Sequence, residues 1–366
     1  MLARVWQNLK VETGQSADAA QLADAWRALG ESALEPAAFQ SADYFLPILE
    51  RGRAGQVISV RSLDQLIMAV PAQSKLGFQT SFTSPFVASS LPQILGQAAD
   101  EGVIAFVNGL KTPFHFRSLP ADSKFFALLQ NAAPRFQETK RWQRAALLIR
   151  GTYEQWVVDN FDQKRRKEFK RLRTRLSEQG EVKLESLSYS SNLDGYVNDL
   201  LQLEGQGWKG SRGTAMNGDQ RTTTMFRAIC ANLHHSGSLR FWTLKFNGKP
   251  IASLFGMVEG EQGWIVKIAY AEAFAKFSPG VMLVLDATEA LFAEPKLKLV
   301  DSCAIPGHPM IDRIWRDRID MVDVLVAPDQ VSQLQFATTL ALLKLQARLR
   351  DAAKFLFYRI TKRKKS

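Results

Sequence analysis

The chain has 366 residues, of which 46% are hydrophobic and 23% charged, a balance that excludes a disordered or fibrous chain and leaves room for two domains. Lys and Arg outnumber Asp and Glu by 47 to 36, giving a formal charge of +11, which suits phosphorylated cofactors, anionic glycans, nucleic acid or a membrane surface. Cys230, Cys303 and the four histidines are scattered rather than clustered, so no metal site is expected.

The N-terminal sequence MLARVWQNLKVETGQSADAA lacks the apolar run of a signal peptide. The sequence also contains no run of about 18 uncharged apolar residues, the length that a membrane-spanning helix needs. These two patterns favour a soluble, cytoplasmic protein.

Residues 1–150 are predicted to form the first domain. Alternation and turn residues predict three strands in GQVISVRS, QLIMAVPAQ and GFQTSFTSPFV. A helix with serine caps and a glycine stop is predicted over SSLPQILGQAADEG. Then follow a strand in VIAFVN, a helix in DSKFFALLQNAA and a strand in RWQRAALLI.

Residues 151–180 are predicted to form a basic linking helix. Its apolar face consists of Phe161, Phe169, Leu172 and Leu176, and eight Lys and Arg residues between positions 164 and 175 surround that face. Gly180 ends the helix. A solvated linker face is one interpretation, and binding of nucleic acid phosphates is the other.

Residues 181–328 are predicted to form the second domain. SLRFWTLKF, PIASLFGMVEG and WIVKIAYAEA read as an antiparallel meander whose first turn is NGK. A helix over about 281–292, a strand in LKLVDSCA, a short helix in HPMIDRIWRDR and a strand in MVDVLVA follow. Both halves thus share one order: three strands, helix, strand, helix, strand. The expected fold class is α/β (α+β), with mixed, mostly antiparallel sheets flanked by helices.

Residues 329–366 are predicted to form an amphipathic, basic C-terminal helix and tail. Its apolar stripe comprises Leu345, Leu349, Ala352, Leu356 and Ile360, and the sequence ends in TKRKKS. Such a helix suits peripheral contact with an anionic membrane.

A loop of small residues, Ser278-Pro279-Gly280, joins the third strand of the second domain to its helix. Such a loop directs backbone N–H groups and the positive end of the helix at one point, where an anion is stabilised. Because proline has no N–H, the predicted donors are Ser278, Gly280, Val281 and Met282. A plain turn is the alternative.

Three sequence blocks resemble the motifs of GNAT acyltransferases, and in particular their CelD/BcsL-like branch, which is linked to bacterial cellulose and exopolysaccharide production. They are LEGQGWKGSRGTAM, KIAYAEAFAKFSPGVML and DSCAIPGHPMIDRIWRDR. The duplicated order of elements also resembles FemAB-type proteins, which have tandem GNAT-like domains. The resemblance implies that the first domain is a degenerate copy and that the second binds acetyl-CoA or another acyl-CoA.

The resemblance also implies where the cofactor lies. The pyrophosphate loop of the family, usually Arg/Gln-x-x-Gly-x-Gly/Ala, maps onto residues 275–280. Ala275 and Ser278 depart from that pattern, and Lys276, next to Phe277, supplies a charge instead. The third-strand backbone would polarise the thioester carbonyl near Ala269, Tyr270 and Ala271.

Asp301, at the end of an apolar strand, is the first candidate for the catalytic base or a substrate anchor, since a buried carboxylate is costly without a partner or a role. The alternative is a turn cap. Glu204 is a second candidate base, and the alternative is a solvated charge at a helix end. His308 is a third candidate base, and the alternative is a capping histidine at the surface. Cys303 reads as a small buried residue rather than a nucleophile.

Trp208 is predicted to stack on a sugar ring, and Lys209 to hold an anionic substrate or a CoA phosphate. The short helix HPMIDRIWRDR lacks the tyrosine that often protonates the departing thiolate in this family, which leaves Tyr270 as the tyrosine near the site. The function expected from the resemblance is acyl transfer to an amine or hydroxyl of a cell-surface glycan precursor. The alternatives are a FemAB-type transferase that uses aminoacyl-tRNA and a non-catalytic, membrane-peripheral partner of a polysaccharide synthase.

Overall fold

The computed structural model describes residues 9–15, 20–51, 55–63, 65–188, 192–206 and 216–363. In the N-terminal half, the strands are β1 (Lys10–Gln15), β2 (Gln56–Arg61), β3 (Leu66–Lys75), β4 (Phe78–Ser81), β5 (Gln93–Ile94), β6 (Phe114–Pro120) and β7 (Arg135–Leu148). The helices are α1 (Ala23–Glu31), α2 (Ala42–Arg51), α3 (Ala99–Gly109) and α4 (Lys124–Ala132).

Two helices, α5 (Tyr153–Asn160) and α6 (Gln163–Ser177), connect the halves. The C-terminal half has the strands β8 (Val182–Ser186), β9 (Leu239–Phe246), β10 (Lys249–Glu259), β11 (Gln262–Tyr270), β12 (Leu299–Asp301) and β13 (Asp317–Ala327). Its helices are α7 (Leu193–Gln206), α8 (Gln220–His235), α9 (Pro279–Phe292), α10 (Ile311–Ile314) and α11 (Gln333–Arg363).

All these strands lie in one mixed sheet. From edge to edge their order is β1, β2, β3, β4, β6, β13, β7, β12, β11, β10, β9, β8, with β5 paired to β3. The pairs β4–β6 and β11–β12 are parallel, and the other neighbours are antiparallel. The sheet and its flanking helices confirm the predicted α/β (α+β) class and the repeated order of elements.

The two halves exchange their last strands. β13, from the C-terminal half, pairs with β6 on one side and with β7 on the other. β7, from the N-terminal half, pairs with β12 as well. Each half therefore places its final strand against the preceding strand of the other half, and the centre of the sheet belongs to both.

Two of the sequence-based assignments in the N-terminal half are wrong. SSLPQILGQAADEG contains the short strand β5 and a 3₁₀ turn at Gly96–Ala98 rather than a full helix, and VIAFVN lies inside α3 rather than in a strand. The apolar residues Val103, Phe106 and Val107 are fully buried at helical spacing, so packing decides between two structures that a short apolar run permits. The strand that follows the helix is β6, which the prediction omitted.

The basic segment forms two helices where one was predicted. α6 begins at Gln163 because the Asp162 side chain caps it, accepting a hydrogen bond from the Arg165 N–H at 2.7 Å. Phe161 therefore precedes α6, although it is buried as expected, together with Leu176.

Aromatic packing joins the C-terminal half to the N-terminal half. The ring of Trp264 on β11 lies 6.2 Å from that of Phe39, and the ring of Phe226 on α8 lies 6.4 Å from that of Phe86. The opposite face of β9 to β11 packs on α9. None of the helices in the described ranges is long and apolar enough to cross a membrane.

Candidate active site

A gap opens between β11 and β12. The two strands pair over just three positions, Gln262–Trp264 with Leu299–Asp301. β11 then runs on to Tyr270. The segment after β12 instead turns away from β11 at Cys303, whose backbone is left-handed with φ 54°. The gap contains a cavity of about 180 Å³ lined by Ile265, Val266, Lys267, Ile268, Val284, Ser302, Cys303, Ala304, His308, Met310 and Ile311.

A β-bulge sets which backbone groups of β11 face the gap. The register with β10 shifts so that Val266 has no direct partner. Beyond the bulge, the Ala271 N–H donates to Ile251 O of the β10 side at 2.9 Å. Because backbone groups alternate in direction along a strand, those of Ile268 and Tyr270 face the gap, and those of Ala269 and Ala271 face β10.

The N-terminus of α9 lies beside this gap, after Ser278 in a left-handed conformation with φ 55°. Three of the four predicted anion donors already have acceptors. The Ser278 N–H donates to Ala275 O at 3.0 Å, and the N–H groups of Val281 and Met282 donate to Ser278 O at 3.0 and 3.2 Å. Within the described ranges the N–H of Gly280 has no protein acceptor, so it is the donor that remains for a ligand.

Gly280 permits a close approach between α9 and its neighbours. A Cβ atom at this position would lie 3.4 Å from Met310 Sδ and 3.4 Å from Tyr270 Cδ1, tighter than most such contacts. Phe277 is buried, and Lys276 is exposed with Nζ 5.0 Å from the centre of the Phe277 ring. The cationic side chain therefore lies at the surface of the turn that leads into α9.

Asp301 is 2% exposed and is held on both sides. Its Oδ1 accepts a hydrogen bond from the Cys303 N–H at 2.8 Å, and its Oδ2 lies 3.4 Å from Nη1 of Arg144 on β7. Burial raises the pKa of Asp301, and Arg144 and the Cys303 N–H act in the opposite direction. The carboxylate thus fixes the backbone turn at the edge of the gap, and it contacts the narrow space lined by Pro36 rather than the main cavity.

Cys303 lines the gap, but its thiol is a weak nucleophile. Burial raises the pKa of Cys303 well above its usual range, and the neighbouring Asp301 carboxylate raises it further. The thiolate is the reactive form, so the protonated Cys303 agrees with the prediction of a packing residue.

Glu204 of α7 and Lys267 of β11 form a nearly buried ion pair. The Lys267 Nζ lies 3.1 Å from Glu204 Oε1, and the Glu204 Oε2 accepts a hydrogen bond from the Met216 N–H at 3.0 Å. The ammonium also lies 5.0 Å from the centre of the Phe86 ring of the N-terminal half. Lys267 lines the gap. Its ion pair therefore places the Glu204 carboxylate, a candidate base in the sequence analysis, next to a residue of the gap.

His308 caps the start of α10. Its Nδ1 accepts hydrogen bonds from the N–H groups of Met310 and Ile311, both at 3.3 Å. Burial lowers the pKa of His308, against a smaller raising effect of Asp312, so the ring is neutral near pH 7. With Nδ1 an acceptor, the ring proton sits on Nε2, which makes His308 a hydrogen-bond donor toward other groups.

A cationic surface lies near the loop before α9. α6 packs against the Glu272–Phe277 turn and is tied to α9 by a hydrogen bond from Arg173 to Asp286. The Arg165 guanidinium lies over the Phe161 and Phe169 rings. Burial lowers the pKa of Arg165, and so do the positive charges of Arg316 and Arg313.

Two important residues escaped the sequence analysis. Arg144 and Lys267 are charged residues within apolar strand sequences, RAALLI and WIVKIAY, and that position is the signal that could have identified them. The predicted substrate residues Trp208 and Lys209 lie outside the described residues.

Comparison with known proteins identifies this part of the chain. Residues 163–306 match a family described as "Acetyltransferase (GNAT) domain". The match covers less than half of the chain, but it contains both strands that border the gap, the start of α9, Glu204 and Asp301. This segment therefore carries a GNAT acyltransferase domain. A comparison with curated proteins finds no match.

Solved structures are similar over nearly the whole chain. FemX is 10% identical with a TM-score of 0.55, covering 84% of this chain and 96% of that chain. The C-terminal domain of a putative lysylphosphatidylglycerol synthetase from Agrobacterium fabrum is 11% identical with a TM-score of 0.55, covering 89% and 96%. L-PGS from Bacillus licheniformis is 11% identical with a TM-score of 0.51, covering 87% and 96%. At these identities the likeness shows the fold alone.

Proposed function

We propose that this protein is an acyl-CoA-dependent N- or O-acyltransferase, with acetyl-CoA as the first donor to test, that acts on a cell-surface polysaccharide or its precursor. The observation that carries the proposal is the gap between β11 and β12, where an unpaired strand edge meets the start of α9. The GNAT match supports the donor class. The motif blocks that resemble the CelD/BcsL-like branch support the acceptor class.

The proposed donor site belongs to residues 181–328, and residues 1–150 are its degenerate copy, joined by the basic segment 151–180 and followed by the helix and tail 329–366. The Gly280 N–H and the positive end of α9 would hold the pyrophosphate, with the Lys276 charge nearby. The gap-facing backbone of Ile268 and Tyr270 would hold the acyl carbonyl. Acyl-CoA, when bound, supplies an acyl thioester.

We assign the proton-accepting role to Glu204 rather than to Asp301. A general base must reach the proton that it removes, and Asp301 lines the narrow space beside Pro36 rather than the cavity in the gap. Glu204 is instead paired with Lys267, which lines the gap. Lys267 then orients the acceptor, and Glu204 Oε1 takes its proton.

We assign to His308 the role of donating a proton to the departing CoA sulfur. Its Nδ1 is occupied by two backbone N–H groups, which leaves the Nε2–H as donor. Tyr270 is a second donor beside the gap, with its side chain 41% exposed. Asp301 acts through the Cys303 turn and is a positioning residue.

The first test is a calorimetric titration with acetyl-CoA, with an aminoacylated tRNA in a parallel cell. Saturable binding of acetyl-CoA without binding of tRNA is expected. The second test follows the release of CoA thiol with a panel of amino sugars. Glu204→Gln should lower turnover by about 10²–10⁴ with nearly unchanged acetyl-CoA affinity. If Glu204→Gln turns over like the wild type, the assignment of the base is wrong.

One observation favours a second function, transfer from aminoacyl-tRNA. The basic helix α6, which carries Arg165, packs against the turn before α9 and is tied to α9 through Arg173, and an RNA phosphate backbone fits a basic surface of this kind. The FemX fold agrees with either function. Binding of tRNA that is lost in Arg165→Gln, without saturable binding of acetyl-CoA, would replace the first proposal. If neither ligand binds, the third alternative, a non-catalytic, membrane-peripheral partner of a polysaccharide synthase, gains support.

A further inference from the structure

The C-terminal helix α11 packs on the protein over its first three turns alone. There Phe336 is 8% exposed and contacts the buried cluster of Leu325, Ala327 and Val331, with Leu340 and Leu343 beside it. From Lys344 to Ala353 every side chain is exposed. The side chains of residues 344–353 are therefore accessible to a partner.

The exposed part of α11 carries an apolar stripe. Leu345 is 52% exposed and Leu349 is 61% exposed. Positions four residues apart share one face of a helix, and the sequence continues the spacing with Ala352, Leu356 and Ile360. Single exposed leucines are ordinary on a protein surface, but a stripe of this length marks an interaction surface.

Positive charge borders the stripe. Lys344, Arg348 and Arg350 are exposed. Over residues 344–366 the sequence contains nine Lys and Arg residues against one acidic residue, Asp351. A partner for this surface must therefore combine an apolar layer with a dense layer of negative charge.

We propose that α11 from Lys344 onward is a docking surface for an anionic phospholipid bilayer, lying in the plane of the interface. The leucine stripe faces the acyl chains, and the lysines and arginines contact the headgroup phosphates. Nucleic acid would match the charge but leave Leu345 and Leu349 without a partner. A second copy of the chain would match the leucines but oppose like charges along the whole length.

The test measures co-sedimentation of the full chain with vesicles of phosphatidylcholine containing 30% phosphatidylglycerol, and with pure phosphatidylcholine. We expect binding to the anionic vesicles to be at least about tenfold stronger and to weaken as salt rises. Equal partitioning into both vesicle types, or no binding to either, would overturn the proposal.

Two variants separate the apolar and the ionic contributions. The double change Leu345→Glu and Leu349→Glu alters exposed side chains, so the fold should persist, and binding to anionic vesicles should fall at least about tenfold. The triple change of Lys344, Arg348 and Arg350 to Gln removes three of the nine basic residues and should weaken the preference for anionic vesicles at least about tenfold. The matched control is Leu334→Glu, at an exposed leucine (74%) of the same helix, and it should bind like the wild type.

Three outcomes would point elsewhere. Unchanged vesicle binding in the double leucine variant would contradict insertion of the leucine stripe of α11 into the bilayer. A dimer in analytical ultracentrifugation that the double leucine variant abolishes would show a second copy as the partner. Binding of single-stranded RNA that needs the three basic residues but tolerates Leu345→Glu with Leu349→Glu would show nucleic acid as the partner. Acetyl-CoA affinity, measured in each variant, is expected to stay constant because the helix lies outside the donor site.

Discussion

The two halves share one architecture but differ at the point where a donor would bind. In the N-terminal half the parallel pair β4–β6 is followed by a segment whose Phe82 and Phe86 are buried, and the first turn of α3 carries Asp100 and Glu101. In the C-terminal half the corresponding pair opens into a cavity, and the first turn of α9 has no acidic residue. Carboxylates at a helix N-terminus repel an anionic ligand, so the first turn of α3 disfavours a phosphate group and the first turn of α9 does not.

The two halves also stabilise a left-handed residue in different ways. In each half the backbone turns through a left-handed residue near the last strand but one: Ser118 lies within β6 with φ 57°, and Cys303 follows β12 with φ 54°. The Ser118 N–H donates to Asp323 Oδ1 of β13 at 2.8 Å, whereas the Cys303 N–H donates at 2.8 Å to Asp301 of its own strand. Asp301, in turn, faces the buried Arg144, so the C-terminal turn depends on an ion pair.

The largest effect is expected when the halves are separated. Residues 1–150 lack β13 and residues 151–366 lack β7, and these strands form the centre of the sheet. Each piece expressed alone should be aggregated or unfolded, as judged by size-exclusion chromatography and circular dichroism. Co-expression should restore a folded complex. A cooperative thermal transition of residues 1–150 alone would show that the strand exchange is dispensable.

The next effect compares the two aspartates that hold the turns. Asp301→Asn leaves Arg144 buried without its countercharge, which should lower the free energy of unfolding by about 3–5 kcal/mol. Asp323→Asn keeps a neutral acceptor for the Ser118 N–H and should cost about 1 kcal/mol. Urea unfolding of both variants measures the difference. Equal losses would mean that Arg144 contributes nothing beyond the hydrogen bond.

A third comparison concerns two histidines at acidic pH. Burial, with a smaller contribution from Arg117, lowers the pKa of His115 from 6.5 to about 3. Below pH 6.5 the unfolded chain therefore binds a proton that the folded chain does not, so stability falls as pH falls, by about 3 kcal/mol at pH 4. His115→Gln should remove this part of the loss in urea unfolding at pH 7 and pH 4. His308→Gln should remove less, since His308 is half-buried.

The smallest expected effect concerns the N-termini of α9 and α3, the corresponding helices of the two halves. Gly280→Asp places a carboxylate where the proposed pyrophosphate site lies and should weaken acetyl-CoA binding about 100-fold. Gly280→Ala adds a methyl group near Met310 and Tyr270 without charge and should weaken binding less. In the N-terminal half, Asp100→Asn with Glu101→Gln should leave calorimetric binding unchanged. Full affinity in a folded Gly280→Asp variant would make the loop a plain turn.

The sequence predicts the C-terminal half better than the N-terminal half, and the reason is local. The NGK turn and the alternation in SLRFWTLKF fix a meander because both signals act over a few residues. VIAFVN carries no such signal, since a short buried apolar run suits either a helix or a strand. The exchange of β7 and β13 depends on pairings between distant segments, which no local pattern records.

Single residues carry the sequence signals for the candidate site. Glu204, Asp301, Gly280 and His308 were proposed from the sequence; His308 lines the cavity, and Glu204 is paired with Lys267, which lines it as well. The partners Lys267 and Arg144 were not identified, because an ion pair between distant positions becomes visible in three dimensions alone. Local sequence also could not show that Ala271 donates its N–H to β10.

The exchanged strands also determine when the protein can fold during its synthesis. A ribosome completes β7 at Leu148 long before it reaches β13 at Asp317–Ala327, so the first half leaves the exit tunnel with β6 and β7 lacking the strand that joins them. Those exposed strand edges can pair with other chains, and such distant pairings form slowly. The newly made chain therefore depends on protection from aggregation until nearly nine-tenths of it has been translated.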